Sequence, residues 1–446
     1  MAVRLWRTAF LFGIILITMC LSVPAKVLKI QDNNAVVEGD NHTHEVDLSL
    51  VKNVKVGDYL LVHNNLALNK VPKEDAQKIL KFLEKYQVGH ENYSHFDSEF
   101  EKIIENSRKR DLTQDEVIYL LRTESPGKEA LFNEANSRRQ ECLKEFICIH
   151  GIIEFSNYCK NDCVYCGLRK ENGELKRYRM KPEEIMKVAE KAVKDKGYKL
   201  LVLQSGEDYF YTDEMLAEII REIKEKCHVF VFISIGERDY ECYKKLKEAG
   251  ASGVLFRFET SNPELFKKFH PEGKDWESRF EHLKFMKELG YFIATGSLIG
   301  LPGQTIEDLA DDIFTIKKWA NMVSMGPFIP AKNTPLADEP AGDPEMNLKM
   351  IAVLRLLMPY ARIPVVTAFE TLTNGEEGRR RALFSGANSL MFNLTPAKYR
   401  PHYKIYGNKF YQKENFWEKY GLFKYEESYK MLEERMAREL NNSSFK

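Results

Sequence analysis

From about residue 147 onward one theme recurs eight times: a short apolar run, a polar loop, then a stretch with apolar residues at helical spacing. The runs are "ICIHGIIEFS", "KLLVLQSG", "VFVFISIG", "SGVLFRFET", "YFIATGSLIG", "NMVSMGPFIP", "IPVVTAFET" and "NSLMFNLT". The stretches between them include "KPEEIMKVAEKAVKDKG", "YTDEMLAEIIREIKEK" and "TIEDLADDIFTIKKWA", and several close on glycine, a common helix stop. Strands that alternate with helices form parallel sheets, because a parallel neighbour is reached only by a crossover. Eight such units predict an α/β protein, a (β/α)8 barrel of the TIM type whose active site lies at the C-terminal strand ends. That end collects the polar loops "QSGED", "SIGE", "RFET", "GSLIGLPG" and "TAFET".

The loop after the first run carries the most chemistry. "IEFSNYCKNDCVYCGLRKENG" places Cys159, Cys163 and Cys166 within eight positions. The other five cysteines are scattered, and none follows Cys242. Eight cysteines so distributed in 446 residues make no disulfide scaffold; a tight triplet reads as metal binding in a reducing compartment. Thiolates hold iron–sulfur clusters, four to a cubane as a rule, so a loop offering three leaves one iron open to another ligand. Structural zinc is the competing occupant, but it asks for a fourth Cys or His at typical spacing, and His150 precedes the loop within a strand.

Charge narrows the partners. Lys+Arg and Asp+Glu are equal at 66 each, so no overall field draws nucleic acid or an anionic membrane. Basic runs such as Arg379 to Arg381 are expected on solvated helix faces.

Ahead of the repeats the chain has another character. Residues 1–18 join basic residues to an apolar run too short to span a bilayer, and are expected to be an apolar extension from a misplaced start or a signal-like segment. Residues 19–88 hold short β-rich runs ("KVLKI", "NAVVEG", "HEVDLSL", "GDYLLVHNNLALNKV") and then "PKEDAQKILKFLEKY", which predict a small β-barrel with a C-terminal helix. Residues 89–110 are a polar linker running into a helix. Thr113 with Glu116 three residues on forms a capping box, and the large barrel domain is taken as 111–410 with a helical tail at 411–446.

"MCLSVPAKVLKI", followed by "GDYLLVH" and "EDAQKIL", resembles the HypC/HupF family of hydrogenase maturation chaperones. The resemblance implies that Cys20, exposed as the first residue of a chain starting at Met19, works with His63 in handling an iron fragment that bears CO and cyanide. This chain departs from the family at Gly39-Asp40, where paired glycines are usual, and at Asn65 to Ala67.

The Cys-x3-Cys-x2-Cys loop after the first barrel strand resembles that of the radical S-adenosylmethionine (SAM) superfamily. That resemblance implies a 4Fe–4S cluster on Cys159, Cys163 and Cys166, with SAM on the open iron and reductive cleavage to a 5′-deoxyadenosyl radical. It further implies that Gln204, Ser205, Gly206, Glu207 and Asp208 meet the methionine end and that Glu259 meets the ribose. Gly300, Leu301 and Pro302 would let adenine approach the backbone, beside Tyr165. His270 stands where an arginine is usual for the SAM carboxylate, and Tyr209 where a proline is usual.

The block from "YCGLRKENGELKRYRM" through "GSLIGLPGQTIEDLADD" to "GANSLMFNLTPAKYR" resembles the HydE family of iron–iron hydrogenase maturases, with biotin synthase and methylornithine synthase as near relatives. This implies a small-molecule or organoiron substrate met by Arg257, Thr367 and Tyr399. The implied partners are hydrogenase maturation proteins and a reductant of flavodoxin or ferredoxin type, in the cytoplasm, with no nucleic acid and no membrane. Departures fall on the substrate side, at Val366 and Glu370, and the optional C-terminal cluster cysteines are absent. The competing readings are a biotin-synthase-like or methylornithine-synthase-like enzyme on an organic substrate, and a non-catalytic iron–sulfur scaffold.

Overall fold

The computed structural model describes residues 23–410 apart from 32–33, 39–42, 50, 52, 64–65, 86–97, 145 and 271–274. The expectations for residues 1–18, Cys20, the side chain of His63 and the tail 411–446 lie outside the described residues. The chain divides into two compact units, Met1–Asp97 and Ser98–Lys446.

In the first unit β1 (Val23–Gln31), β2 (Asn34–Glu38), β3 (Thr43–Asp47), β4 (Tyr59–His63) and β5 (Leu66–Val71) close into a barrel in the order β1-β2-β3-β5-β4. Closure comes from one parallel pair, Asp47 with Leu66; the other neighbours are antiparallel. Alternate residues point inward, as the two-residue period of a strand requires. Ala25, Val27, Ala35, Val37, Leu60 and Val62 form the shared core. Helix α1 (Lys73–Lys85) follows the last strand.

The second unit begins with α2 (Ser98–Lys109), α3 (Gln114–Arg122) and α4 (Gly127–Leu143). Thr113 caps α3: its side chain accepts the Glu116 N–H, and the Glu116 carboxylate accepts the Thr113 N–H at 2.8 Å. The barrel strands are β6 (Cys148–Ser156), β7 (Leu200–Ser205), β8 (Phe230–Ser234), β9 (Gly253–Leu255), β10 (Phe292–Thr295), β12 (Met322–Val323), β14 (Pro364–Val365) and β15 (Ser389–Asn393). They pair in parallel in the order β12-β10-β9-β8-β7-β6-β15-β14. The two edges meet where the Val323 N–H donates to the Arg362 carbonyl at 2.9 Å, so the sheet is a nearly closed barrel. Each of the eight apolar runs holds one of these strands. The fifth and sixth runs continue into β11 (Leu298–Ile299) and β13 (Gly326–Pro327), which pair with each other beyond the barrel.

The outer helices are α5 (Pro182–Lys196), α6 (Asp213–Lys226), α7 (Tyr240–Glu248), α8 (Pro263–Phe269), α9 (Trp276–Glu288), α10 (Ile306–Trp319), α11 (Pro344–Leu357), α12 (Thr367–Leu372) and α13 (Glu376–Phe384). Ile152, Leu200, Val202, Phe230, Phe232, Phe292 and Met322 pack in one core cluster, supplied by alternate residues of the strands. Among the described residues no helix is long and apolar enough to cross a membrane.

One expectation is corrected. Arg379 is not on a solvated face: it is 4% exposed and its Nε donates to Glu370, itself 2% exposed, at 2.7 Å. Helix α13 packs against α12 through that pair, because a buried guanidinium needs a carboxylate beside it. Arg381 pairs with Glu345 at 2.6 Å, and Arg380 keeps only partial exposure.

Candidate active site at the cysteine loop

Strand β6 is buried along its whole length and carries the chain to the C-terminal rim. There Asn157, fully buried, turns it. Its Oδ1 accepts the Tyr178 N–H at 2.7 Å, and its Nδ2 donates to the carbonyls of Lys176 (2.9 Å) and His402 (2.7 Å). The cysteine loop comes next, and Arg177 holds it shut. Its guanidinium donates to the carbonyls of Asn157 (2.6 Å), Leu168 (2.9 Å) and Arg169 (2.6 Å), tying the start of the loop to its end. Backbone bonds fasten the loop outward, from the Val164 N–H to Phe269 (3.2 Å) and from the Gly167 N–H to Ile405 (2.9 Å).

The loop's second wall is the end of β7. The Glu207 N–H donates to Cys159 Sγ at 3.4 Å. A Cβ at Gly206 would stand 2.3 Å from the Tyr158 carbonyl and 2.8 Å from Cys159 Cβ, so only glycine lets the two segments meet.

All three thiols are half-buried. Burial pushes Cys163 well above its ordinary value and Cys166 up to about 12, and in each case a neighbouring thiol of the triplet adds to the rise. Thiols that oppose one another's ionisation are close in space, and a bound cationic centre reverses that cost. Among the described residues no three His, Cys, Asp or Glu side chains converge on one ion. A cubane does not ask for that convergence, since each thiolate takes its own iron. The donor set fits a cluster.

The other expected positions separate into those that line the rim and those already engaged. Gln204, half-buried, donates to the Tyr403 hydroxyl at 3.2 Å, and the Ser205 hydroxyl turns back onto the Gly206 carbonyl at 2.6 Å. Glu207 is buried and accepts the Glu237 N–H at 3.1 Å. Asp208 is held on both sides, by Arg179 at 2.8 Å and the Ser156 hydroxyl at 2.6 Å; despite burial these bonds keep its carboxyl below the usual carboxylate range. It is part of the frame.

Glu259 sits at φ 70°, the left-handed region that favours glycine, a strain that surrounding structure must sustain. That structure is a parallel bridge to Ser297, with the Leu298 N–H donating to the Glu259 carbonyl at 2.8 Å. Its carboxylate faces Arg257 Nε at 3.4 Å, and Arg257 also donates to the Ser297 carbonyl at 2.7 Å. Tyr165 packs with Leu301, Leu298, Phe328 and Phe269, and its hydroxyl lies 3.3 Å from His270 Nε2. His270 is 8% exposed, stacked on Phe266, with Nδ1 at 2.8 Å from the Phe266 carbonyl. Gly300 adopts φ 83° and its N–H, like that of Leu301, donates to Gln304 Oε1, at 2.7 and 3.2 Å; Pro302 comes next in the same turn. Thr367 opens α12, half-buried, its carbonyl accepting the Thr371 hydroxyl at 2.8 Å. Tyr399 points elsewhere: its hydroxyl donates to Glu184 on α5 at 2.9 Å and its ring stacks on Tyr178.

Three groups escaped the sequence reading. Arg177 and Asn157 are one. A second is a polar floor in the barrel, where Glu154 (2% exposed) accepts Asn393 Nδ2 at 2.7 Å and pairs with Lys409, whose ammonium also lies 4.9 Å from the Tyr403 ring centroid. A carboxylate inside the apolar run "HGIIEFS" was the available signal. The third is Asp312, which accepts the Ser261 N–H (2.6 Å) and hydroxyl (2.7 Å) and the Gln304 amide (3.2 Å), coupling the loops after β9 and β11.

Comparison with known proteins bears on this geometry. Three family profiles match: the radical SAM superfamily over residues 153–316, the HupF/HypC family over 19–83, and the biotin and thiamin synthesis associated domain over 324–433. The FeFe-hydrogenase maturase subunit HydE of Thermotoga maritima is 46% identical over 310 residues, covering 69% of this chain and 88% of that one. A 3-methylornithine synthase of Methanosarcina acetivorans is 33% identical over 292 residues, covering 65% and 80%. Among solved structures, methylornithine synthase (PylB) superposes with a TM-score of 0.59 at 31% identity, over 66% of this chain and 85% of that one. The hydrogenase maturase HydG superposes with a TM-score of 0.63 at 22% identity over 76% of each, a likeness of fold alone. A barrel rim built around three thiols, in a chain this similar to HydE, belongs to the HydE family of radical SAM enzymes, whose cofactors are a 4Fe–4S cluster and SAM, and here a HupF/HypC-family domain precedes the barrel.

Proposed function

We propose that this enzyme acts on a small organoiron species during assembly of a hydrogenase-type metal centre, in the cytoplasm. The observation that carries the reading is the cysteine loop, three soft donors locked by Arg177 and Gly206 at the mouth of a polar-floored barrel, in a chain 46% identical to HydE. When bound, the cluster supplies one electron to SAM, whose cleavage yields the 5′-deoxyadenosyl radical.

This chain's own residues hold and orient. Cys159, Cys163 and Cys166 hold three irons. The edge from Gln204 to Glu207 meets the methionine end of SAM, Glu259 takes the ribose hydroxyls, and Gly300 to Pro302 with Tyr165 bracket adenine. Asp208 holds Arg179, and His270 fixes Tyr165; both act as positioning residues. On the substrate side Arg257 offers a guanidinium to an anionic ligand such as cyanide or carboxylate, and Thr367, at the end of another strand, offers a hydroxyl. Tyr399 acts through Glu184 and Tyr178 to steady the rim. Cys20 and His63 of the small domain carry the iron fragment, and hydrogenase maturation proteins receive the product.

The test is anaerobic reconstitution with iron and sulfide, then dithionite, SAM and an iron–cysteine complex bearing CO and cyanide, beside Cys163→Ala. The expected result is 5′-deoxyadenosine from the wild type alone, formed faster with the iron complex. Acceleration only by an organic amino acid or thioether precursor would move the substrate to the class of the methylornithine and biotin synthases. A cluster that forms yet leaves SAM intact with every substrate would make the chain a scaffold.

A further inference from the structure

A cluster cleaves SAM only in its reduced form, so an electron has to enter from outside, and the protein surface beside Cys159 carries an unusual patch. Six large hydrophobic residues are well exposed among those described, and two of them, Tyr209 (52%) and Phe210 (54%), are adjacent and lie two and three residues from Glu207, whose N–H touches Cys159 Sγ. Neither ring is loose. The Lys160 ammonium lies 4.3 Å and the Arg238 guanidinium 4.0 Å from the Tyr209 ring centroid. Its hydroxyl accepts Lys160 Nζ at 3.0 Å and donates to the Glu237 carbonyl at 3.1 Å. The Arg179 guanidinium lies 4.5 Å from the Phe210 centroid and 3.7 Å from that of Tyr158.

The outward charge of this patch is positive. Lys160 and Arg179 keep 47% and 32% of their side chains exposed, whereas the carboxylates among them, Glu207 and Asp208, keep 7% and 3%. From Asn157 to Lys181 the chain holds seven Lys and Arg against three Asp and Glu, in a protein whose totals are equal at 66. Rigid aromatic rings beside arginine are the composition of interface hot spots, because they offer contact area at little entropic cost, and an exposed lysine adds charge that steers encounter.

We propose that this patch, Tyr158, Lys160, Arg179, Tyr209 and Phe210, is the docking surface for an acidic one-electron donor protein. The proposal rests on the reading that the cysteine loop holds a redox cluster. The donor's reduced centre loses one electron to the cluster; that electron breaks the C5′–S bond of SAM, giving methionine and the radical, and the oxidised donor leaves. Quick release suits a small encounter surface steered by charge, with only a few apolar contacts at its centre. Lys160 is bonded directly to Cys159, so a donor seated here lies one residue from a cluster ligand.

The experiment uses the full chain, with and without its cluster, and two acidic probes, a bacterial two-cluster ferredoxin and a flavodoxin. Binding is measured by isothermal titration at two ionic strengths, and cluster reduction by the electron paramagnetic resonance signal of its reduced form. Expected are binding by the wild type that weakens about tenfold or more at the higher salt, and a loss of about tenfold or more in Lys160→Glu. Tyr209→Ser/Phe210→Ser, which leaves the cluster loop's sequence intact, should lose as much. Iron content and dithionite-driven SAM cleavage should stay at the wild-type level in the Tyr209→Ser/Phe210→Ser variant. Wild-type affinity for both donors in the variants, or binding indifferent to salt, overturns the proposal. A wild type that binds the donor yet fails to cleave SAM with dithionite overturns the enzymatic reading and leaves the surface standing.

Discussion

Arg177 gathers three carbonyls from the two ends of the cysteine loop, and a hydrogen bond from a charged donor contributes roughly 1.5–3 kcal/mol. Arg177→Ala should therefore cost about 2–3 kcal/mol in urea unfolding and lower the iron bound after reconstitution several-fold. Arg177→Lys, a point donor without the planar fork, should recover little of it; wild-type iron content in the alanine variant would contradict this. His150 gives a second prediction at this scale. Buried beside Ser389 and Cys148, it is pushed down to about 3, by desolvation first and the Arg362 charge second. The unfolded chain regains the ordinary 6.5, so the contribution is full above that pH. As pH falls from 6.5 towards 3 the unfolded state takes up a proton the native state refuses, and stability drops. His150→Gln should flatten this part of the stability curve, measured as urea midpoints from pH 7 to pH 4; an unchanged slope would show that other groups set it.

Elements meet at this site through positions that tolerate no substitute. Gly206 brings the end of β7 against the cysteine loop, and Gly206→Ala must displace backbone, since the clash is with the Tyr158 carbonyl. The expected cost is about 1–3 kcal/mol, with cluster loading lost before the fold is. Circular dichroism and the cluster's visible absorption, read on one sample, separate the two. Asp312 couples β9 to the turn after β11. Burial pushes its carboxyl up to about 7 in spite of the bonds from Ser261. The native state thus holds a proton that the unfolded chain releases near 3.8, and stability declines as pH rises from there towards 7. Asp312→Asn should raise the urea midpoint at pH 8. Its amide then opposes that of Gln304, which must turn away and release the Gly300 and Leu301 N–H groups. If that turn holds adenine as proposed, SAM affinity falls about tenfold, on the order of 1.4 kcal/mol, with iron content unchanged.

At the scale of the molecule, two units each enclose their own core, Val27, Val37 and Leu60 in one and Phe232, Phe292 and Met322 in the other. Units with separate cores unfold in separate transitions when neither core depends on the other. Calorimetry of the full chain should show two transitions, and Leu60→Ala in the small barrel should lower only one of them, by about 2–5 kcal/mol at the site. A single transition shifted as a whole would mean that the units fold as one.

Periodicity made the large barrel legible, because a parallel strand buried on both faces reads as an unbroken apolar run and each crossover helix as a 3.6-residue pattern. Spacing made the three thiols legible, since cluster ligands within one short loop are neighbours in the chain as well as in space. The small barrel showed in its short β-rich runs and the helical stretch that follows them. The residues that shape the site around the thiols were not legible, because their partners come from far along the chain. Glu154 meets Asn393 and Lys409, Asn157 meets His402, and Asp312 meets Ser261 and Gln304 only once the barrel closes. The same closure turned Arg379 inward onto Glu370. Local pattern records which face of an element is apolar; which buried charge finds which partner is decided by long-range packing, where a polar group out of water must be paired.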